Sequence, residues 1–154
     1  MNKKIKGARE TTYNNIKFRS KLEASLFKYL DIEGYKPKYE PIKFIIWEGF
    51  KPTIPFYVKD NKTKRLKLDN KKVIDITYTP DILFFYNDYI IIIEVKPFAN
   101  DVYPYKRKLF RLLLEDYTYK ENNKEYKPIF LQVGTKKNLV EFLTILNNEY
   151  NKKS

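Results

Sequence analysis

Three segments of the chain repeat apolar residues at the spacing of an α-helix. In the first segment, Ser20 and Glu23 have the spacing of a capping box, and Gly34 supplies a C-terminal cap. The second segment is strongly basic and follows Pro104, and the third follows Gly134. These patterns predict helices over about residues 20–33, 104–117 and 136–149.

The apolar residues between these helices are typical of β-strands. Extended segments are predicted over residues 37–47, 73–78 and 129–133, a hairpin over 54–58 and 65–68, and a polar loop over 118–127. Two further strands, Ile82–Tyr86 and Tyr89–Val95, flank a tight Asn87-Asp88 turn. Four consecutive isoleucines in the second of these indicate a central strand buried on both faces. The order of elements predicts an α/β fold, a single domain with a central mixed β-sheet flanked by helices.

Basic residues outnumber acidic ones in this 154-residue chain by 31 to 19, which makes the net charge +12. A surplus of this size on one domain favours a polyanionic partner such as nucleic acid. The alternative is a lysine-rich surface that only solvates the protein. The basic N-terminus predicts a flexible arm over residues 1–19, ahead of a folded domain over residues 20–150.

The residue types that are missing exclude several classes of site. Without cysteine or histidine the chain has no thiol nucleophile, no histidine base and no usual transition-metal ligands. A metal would therefore be a hard, oxygen-ligated ion such as Mg²⁺. The sequence contains no glycine-rich nucleotide loop, no apolar run that spans a bilayer and no apolar signal core. These absences predict a soluble cytoplasmic protein without a membrane partner.

The Asn87-Asp88 turn brings two acidic residues together. Asp81 lies six residues before Asn87, and Glu94 lies six residues after Asp88, so a two-residue turn places both carboxylates side by side. Lys96 shares a strand face with Glu94 because side chains alternate along a strand.

Two carboxylates and a lysine in this arrangement are typical of metal-assisted phosphodiester hydrolysis. The carboxylates and the Val95 carbonyl supply oxygen ligands, and the lysine orients water or offsets phosphate charge. The alternative is a Glu–Lys surface pair beside a turn aspartate. An unpaired charge after four isoleucines would be costly, which favours the functional interpretation.

Pro80-Asp81 and Glu94-Val95-Lys96 resemble the motif of the PD-(D/E)XK nuclease superfamily. The segment Phe18–Ala24, together with Tyr35–Pro41 and Tyr78–Asp81, is similar to phage endonuclease I-type junction-resolving enzymes. It is equally similar to the end-cleaving nuclease subunit of some heteromeric transposases, and Glu94–Pro97 resembles phage head-completion nucleases. The resemblance covers about residues 9–133.

The resemblance implies a restriction-endonuclease-like core and a metal-dependent DNA endonuclease. Such an enzyme would be encoded by a phage or mobile element, would act in the host cytoplasm, and would serve DNA recombination, repair or packaging. Asp81 and Glu94 would bind Mg²⁺, for which Mn²⁺ can substitute. Lys96 would be the catalytic lysine, and Glu23 would add a further carboxylate, although capping alone also explains Glu23.

The predicted partner is duplex or branched DNA. The candidate DNA-binding residues are basic residues of the arm and of the helix after Pro104, namely Lys3, Lys4, Lys6, Arg9, Arg19, Lys106, Lys108 and Arg111. One catalytic set cuts one strand at a time, so a homodimer is expected on DNA, with the edge-like strand between Pro37 and Pro41 available for pairing. The alternative function is a non-catalytic DNA-binding or head-completion-type packaging protein that keeps the nuclease fold.

Overall fold

A five-stranded mixed β-sheet forms the centre of the protein in a computed structural model that describes residues 10–98 and 102–151. The elements follow in the order β1 (Thr11–Tyr13), β2 (Ile16–Phe18), α1 (Lys21–Ile32), β3 (Lys38–Tyr39), β4 (Phe44–Trp47), β5 (Tyr57–Lys59), β6 (Leu66–Leu68), β7 (Ile76–Tyr78), β8 (Ile82–Tyr86), β9 (Tyr89–Val95), α2 (Tyr103–Glu115), β10 (Tyr119–Glu121), β11 (Lys124–Val133) and α3 (Lys136–Glu149). The central sheet has the order β10-β11-β9-β8-β3, with β11 parallel to β9 and the other neighbours antiparallel. The predicted single α/β domain with a mixed sheet and flanking helices is confirmed.

Strand β9 is the centre of this sheet, as its run of isoleucines predicted. Ile91 and Ile93 pack into a cluster with residues of α1 and α3, whereas Ile90 and Ile92 pack into a second cluster with residues of α2. All four isoleucines are fully buried. The end of β9 is therefore held on both faces and on both edges, which gives rigid support to any side chain placed there.

Helix α1 begins at the predicted capping box. The Glu23 amide donates to Ser20 Oγ, and the Ser20 hydroxyl donates to Glu23 Oε1 over 3.0 Å. Gly34 ends the helix with a φ of 84°, a left-handed conformation that glycine adopts without strain. The boundaries agree with the prediction because both caps are properties of the local sequence.

The flexible arm predicted over residues 1–19 is wrong for its second half. Strands β1 and β2 form an antiparallel hairpin, in which Asn14 and Asn15 take the positive φ angles that a two-residue turn needs. Phe18 is fully buried, and its ring lies 5.1 Å from that of Phe27 on α1. The packing of Phe18 stabilises this hairpin, although the basic side chains around it predicted a solvated arm. Lys3, Lys4, Lys6 and Arg9 lie outside the described residues.

The predicted polar loop over residues 118–127 is also wrong. It forms β10 and the start of β11, joined by a turn at Asn122 and Asn123. Tyr119 and Tyr126 pack against Phe85, with ring centroids 5.4 Å and 4.6 Å apart. Tyr119 and Tyr126, which alternate with charged residues in the sequence, thus form the inner face of a hairpin at the edge of the sheet.

Residues 44–78 form a two-stranded extension that we call the ribbon. β4 pairs with β7, Phe50 bridges to Val73, and the predicted hairpin is present as β5 paired with β6. The extended segments predicted over 37–47 and 73–78 are shorter than expected, because the first divides into β3 and β4 and the second contains only β7. No residue from 47 to 77 is buried, so the outer ribbon has no core of its own.

Within the described ranges, no helix combines the length and the apolar character that a membrane span needs.

Candidate functional site

The β8–β9 hairpin brings Asp81 and Glu94 together as the turn arithmetic predicted. Ile82 pairs with Ile93, and the Asp81 amide donates to the Ile93 carbonyl over 3.1 Å. Both acidic residues are buried, with 5% and 7% of their surfaces exposed. Two carboxylates buried side by side repel each other, so the fold needs compensating groups around them.

Asp81 receives two compensating contacts. Its Oδ2 accepts a hydrogen bond of 2.7 Å from the Val95 amide, and its Oδ1 lies 3.5 Å from Arg19 Nη2. Burial still raises the pKa of Asp81, and the nearby charges of Glu94 and Glu23 raise it further. Ionisation of Asp81 in the folded protein therefore costs stability, and an additional cation beside the carboxylate would relieve this cost.

Glu94 is held by Tyr78 and Lys96. The Tyr78 hydroxyl donates to Glu94 Oε2, and Lys96 Nζ lies 3.9 Å from Glu94 Oε1. Burial raises the pKa of Glu94, while the Tyr78 hydrogen bond and the Lys96 charge act against that rise. Lys96 is only 16% exposed and lies 4.5 Å from the centre of the Tyr103 ring. This partly buried lysine is held beside Glu94, whereas the lysine of a solvated surface pair would be exposed.

Glu23 belongs to the same cluster. It is buried at the start of α1, and its Oε2 accepts a 2.6 Å hydrogen bond from the Tyr39 hydroxyl. The Glu23 charge raises the pKa of Asp81, which places the two acids within electrostatic reach of each other. Glu23 therefore both caps the helix and faces the site, so the two interpretations of this residue are compatible.

Arg19 and Glu40 complete the acidic end of the sheet. Arg19 is ion-paired with Glu40, and its backbone amide donates to the Tyr39 hydroxyl over 3.3 Å. Glu40 has a φ of 46°, unusual for a residue with a side chain, and its amide donates to the Asp81 carbonyl over 2.9 Å. Sequence reasoning missed Glu40 and Tyr39, and the only signal was the short segment enclosed by Pro37 and Pro41.

The donor set fits a hard cation by its chemistry. Asp81 Oδ1 and Glu94 Oε1 are carboxylate oxygens of buried residues, and each is ion-paired with a cationic side chain, Arg19 for Asp81 and Lys96 for Glu94. The Val95 backbone also reaches the site, where its amide contacts Asp81. Across residues 10–98 and 102–151, however, no three acidic side chains converge into a ready metal-binding group. Asp81 and Glu94 are thus the residues that could hold Mg²⁺ or Mn²⁺.

Comparison with known proteins gives one family. Residues 3–128 match the family described as "Protein of unknown function (DUF1064)". The chain belongs to the DUF1064 family. No curated protein and no solved structure matches it. The span that matches DUF1064 contains Glu23, Asp81, Glu94 and Lys96, and it ends within β11 before Gln132.

Gln132 adds a polar group to the site from outside the span that matches DUF1064. It lies beside Glu94 in the parallel pairing of β11 with β9. Its Oε1 accepts hydrogen bonds from Arg107 Nη1 over 2.9 Å and from the Tyr103 hydroxyl over 3.1 Å. The sequence alone assigned no role to Gln132 or Arg107, although a glutamine in an otherwise apolar strand was a usable signal.

The predicted basic residues of α2 do not all face the site. Lys106 Nζ donates to the Thr77 carbonyl over 3.1 Å, next to Tyr78. Lys108 and Arg111 are exposed on the helix surface. The structure thus brings Lys106 and Arg107 towards the acidic end of the sheet, while Lys108 and Arg111 remain available to a partner farther along α2.

Proposed function

We propose that this DUF1064 protein is a metal-dependent DNA endonuclease of the PD-(D/E)XK type with a restriction-endonuclease-like core. The observation that carries the proposal is the buried pair of Asp81 and Glu94, with Lys96 3.9 Å from Glu94 Oε1. Mutually repelling buried charges reduce stability, and proteins retain such groups mainly where function needs them.

Each residue of the site has a separate task in this proposal. Asp81 and Glu94 hold Mg²⁺, which when bound activates water and stabilises the leaving oxygen of a phosphodiester. The Val95 amide and the Tyr78 hydroxyl orient these two carboxylates. Lys96 offsets charge on the scissile phosphate or orients the attacking water. Glu23 supplies a further carboxylate beside the site.

The proposed partner is duplex or branched DNA. The net charge of +12 favours a polyanion. Lys106 and Arg107 lie near the site, and Lys108 and Arg111 extend the positive charge along α2. We place the activity in the cytoplasm of a host cell, in recombination, repair or packaging of phage or mobile-element DNA.

A plasmid-nicking assay tests the endonuclease against the non-catalytic packaging alternative. The wild-type protein is expected to nick supercoiled DNA in Mg²⁺ and to be inactive in EDTA. Glu94→Gln and Lys96→Met are expected to abolish nicking. Glu115→Gln, which changes an exposed acid on α2, serves as the matched control and is expected to be fully active. A wild-type protein that binds DNA and never nicks it, whatever the divalent ion, would support the packaging alternative.

We further propose that two copies associate through the ribbon. Its outer part exposes a set of large apolar side chains, namely Ile45, Trp47, Phe50, Ile54, Phe56, Tyr57, Leu66, Leu68, Val73, Ile74 and Ile76. Summed over both faces of the ribbon, these side chains expose on the order of 1,000 Å², which is comparable with the roughly 800 Å² that each partner contributes to a standard interface. Monomeric proteins rarely leave so many large apolar side chains uncovered in one region.

A second copy is the occupant that the chemistry favours. One chain carries one Asp81–Glu94–Lys96 set, so cleavage of both strands needs two sets related by a twofold axis. Strand β3, between Pro37 and Pro41, is an edge of the central sheet as predicted, and the ribbon begins directly after it. An interface on the ribbon would leave the acidic end of the sheet free for DNA.

A further inference from the structure

The backbone of Arg19 is held in place beside the carboxylates of the site. Its neighbours in sequence are Phe18, which is fully buried, and Ser20, which caps α1. The Arg19 backbone therefore cannot move without disturbing the core and the helix. Its side chain is 65% exposed, so the guanidinium can leave the site without crossing any packed region.

The guanidinium of Arg19 is shared between two acids. It is ion-paired with Glu40, and Nη2 lies 3.5 Å from Asp81 Oδ1. The Arg19 backbone amide donates to the Tyr39 hydroxyl, which in turn donates to Glu23 Oε2. Arg19 thus contacts Glu40 and Asp81 directly and is linked to Glu23 through Tyr39.

The position of Arg19 matters because Asp81 has one carboxylate oxygen left for a cation. Asp81 Oδ2 accepts the hydrogen bond of the Val95 amide, and Asp81 Oδ1 lies 3.5 Å from Arg19 Nη2. The same Asp81 oxygen that contacts Arg19 is the one that a cation would need.

We propose that Arg19 is the resident counter-cation of the site and a positioning residue, which leaves Asp81 when a divalent ion binds and then contacts a DNA phosphate. The released guanidinium is well suited to that contact because its planar group can form two parallel hydrogen bonds with phosphate. Metal binding and DNA binding would then be coupled through one side chain. This inference rests on the binding of metal and DNA in the proposed function, and it does not require that the phosphodiester is cut.

The first test measures Mn²⁺ affinity without DNA, by the loss of the free-ion signal in electron paramagnetic resonance. Arg19→Gln removes the competing charge, so we expect it to bind Mn²⁺ about tenfold more tightly than the wild type. Arg19→Lys keeps the charge and is expected to bind within about twofold of the wild type. Lys127→Gln, an exposed residue at the other end of β11 from Gln132, makes the same change in net charge away from the site and should leave the affinity unchanged.

The second test measures affinity for a DNA duplex in EDTA and in Ca²⁺. The wild type is expected to bind DNA more tightly in Ca²⁺, because the ion releases Arg19 to the phosphate. Arg19→Gln is expected to lose most of this gain, and Lys127→Gln is expected to keep it.

The results separate this inference from the proposed function. Unchanged or weaker Mn²⁺ binding by Arg19→Gln overturns the role of Arg19, even if the wild type nicks DNA in Mg²⁺. Tighter Mn²⁺ binding and a lost Ca²⁺ effect support it, even if no condition yields nicking and the nuclease proposal fails. Absence of Mn²⁺ binding in both proteins overturns it as well.

Discussion

Asp81→Asn is expected to stabilise the protein in the absence of metal. The asparagine side chain has nearly the same shape, and its carbonyl oxygen can still accept the hydrogen bond from the Val95 amide. The substitution removes a buried negative charge that Glu94 and Glu23 oppose. A residue kept for catalysis at the expense of stability should show this behaviour.

The magnitude follows from the pKa of Asp81, which burial and neighbouring acids raise from 3.8 to about 8. The folded state then binds this proton more tightly than the unfolded state, so stability falls as the pH rises from about 4 to about 8. At about 1.4 kcal/mol for each pH unit, ionisation at pH 8 costs at most about 6 kcal/mol. Asp81→Asn also loses the contact with Arg19, and Asp81 and Glu94 share their repulsion because they titrate together. The expected net gain in the free energy of unfolding is therefore about 1–3 kcal/mol.

Thermal unfolding in EDTA measures this effect. At pH 8 the Tm of Asp81→Asn is expected to exceed that of the wild type by roughly 3–10 °C, with a smaller difference at pH 5. Glu115→Gln serves as the control because the Glu115 carboxylate is exposed, so its removal is expected to leave the stability nearly unchanged. A variant less stable than the wild type at pH 8 would refute the reasoning and make Asp81 a structural partner of the Val95 amide.

Four further predictions address the proposed function. Glu94→Gln should lose Mg²⁺-dependent nicking while its DNA affinity in a gel-shift assay stays within about twofold of the wild type, since the charge change is local; normal nicking would remove Glu94 from the site. Nicking activity should persist in Mn²⁺ and be absent in Ca²⁺. DNA affinity should fall steeply as the salt concentration rises, and removal of residues 1–9 should make the plot of log affinity against log salt less steep. An unchanged slope would show that residues 1–9 make no phosphate contacts. The double variant Phe56→Ser and Leu68→Ser should be monomeric by light scattering on branched DNA, whereas an equally monomeric wild type would contradict the dimer.

The parts of this fold that the sequence determined depend on neighbouring residues. The Ser20–Glu23 capping box and Gly34 define α1 because each cap forms within a few residues of the chain. The two-residue turn at Asn87 sets the register of the β8–β9 hairpin, so the pairing of Asp81 with its opposite residue could be counted directly.

The errors arose where charged residues alternate with a few aromatic ones. The β1–β2 and β10–β11 hairpins resemble solvated segments in sequence, since each has one polar face and a short apolar one. Their stability comes from packing on partners that are distant in the chain, such as Phe18 on Phe27 and Tyr126 on Phe85. Propensity and periodicity contain no information about such partners.

Only the tertiary structure decided what surrounds the two carboxylates. The Tyr78 hydroxyl contacts Glu94 and the Arg19 guanidinium contacts Asp81, in each case across many residues of the chain. Gln132 lies beside Glu94 because β11 pairs in parallel with β9, and that connection runs through α2. These contacts form when elements dock around the buried core, so burial and long-range electrostatics determine them. The local sequence placed the acids together, and the packing of the whole chain determined which cations and hydroxyls hold them there.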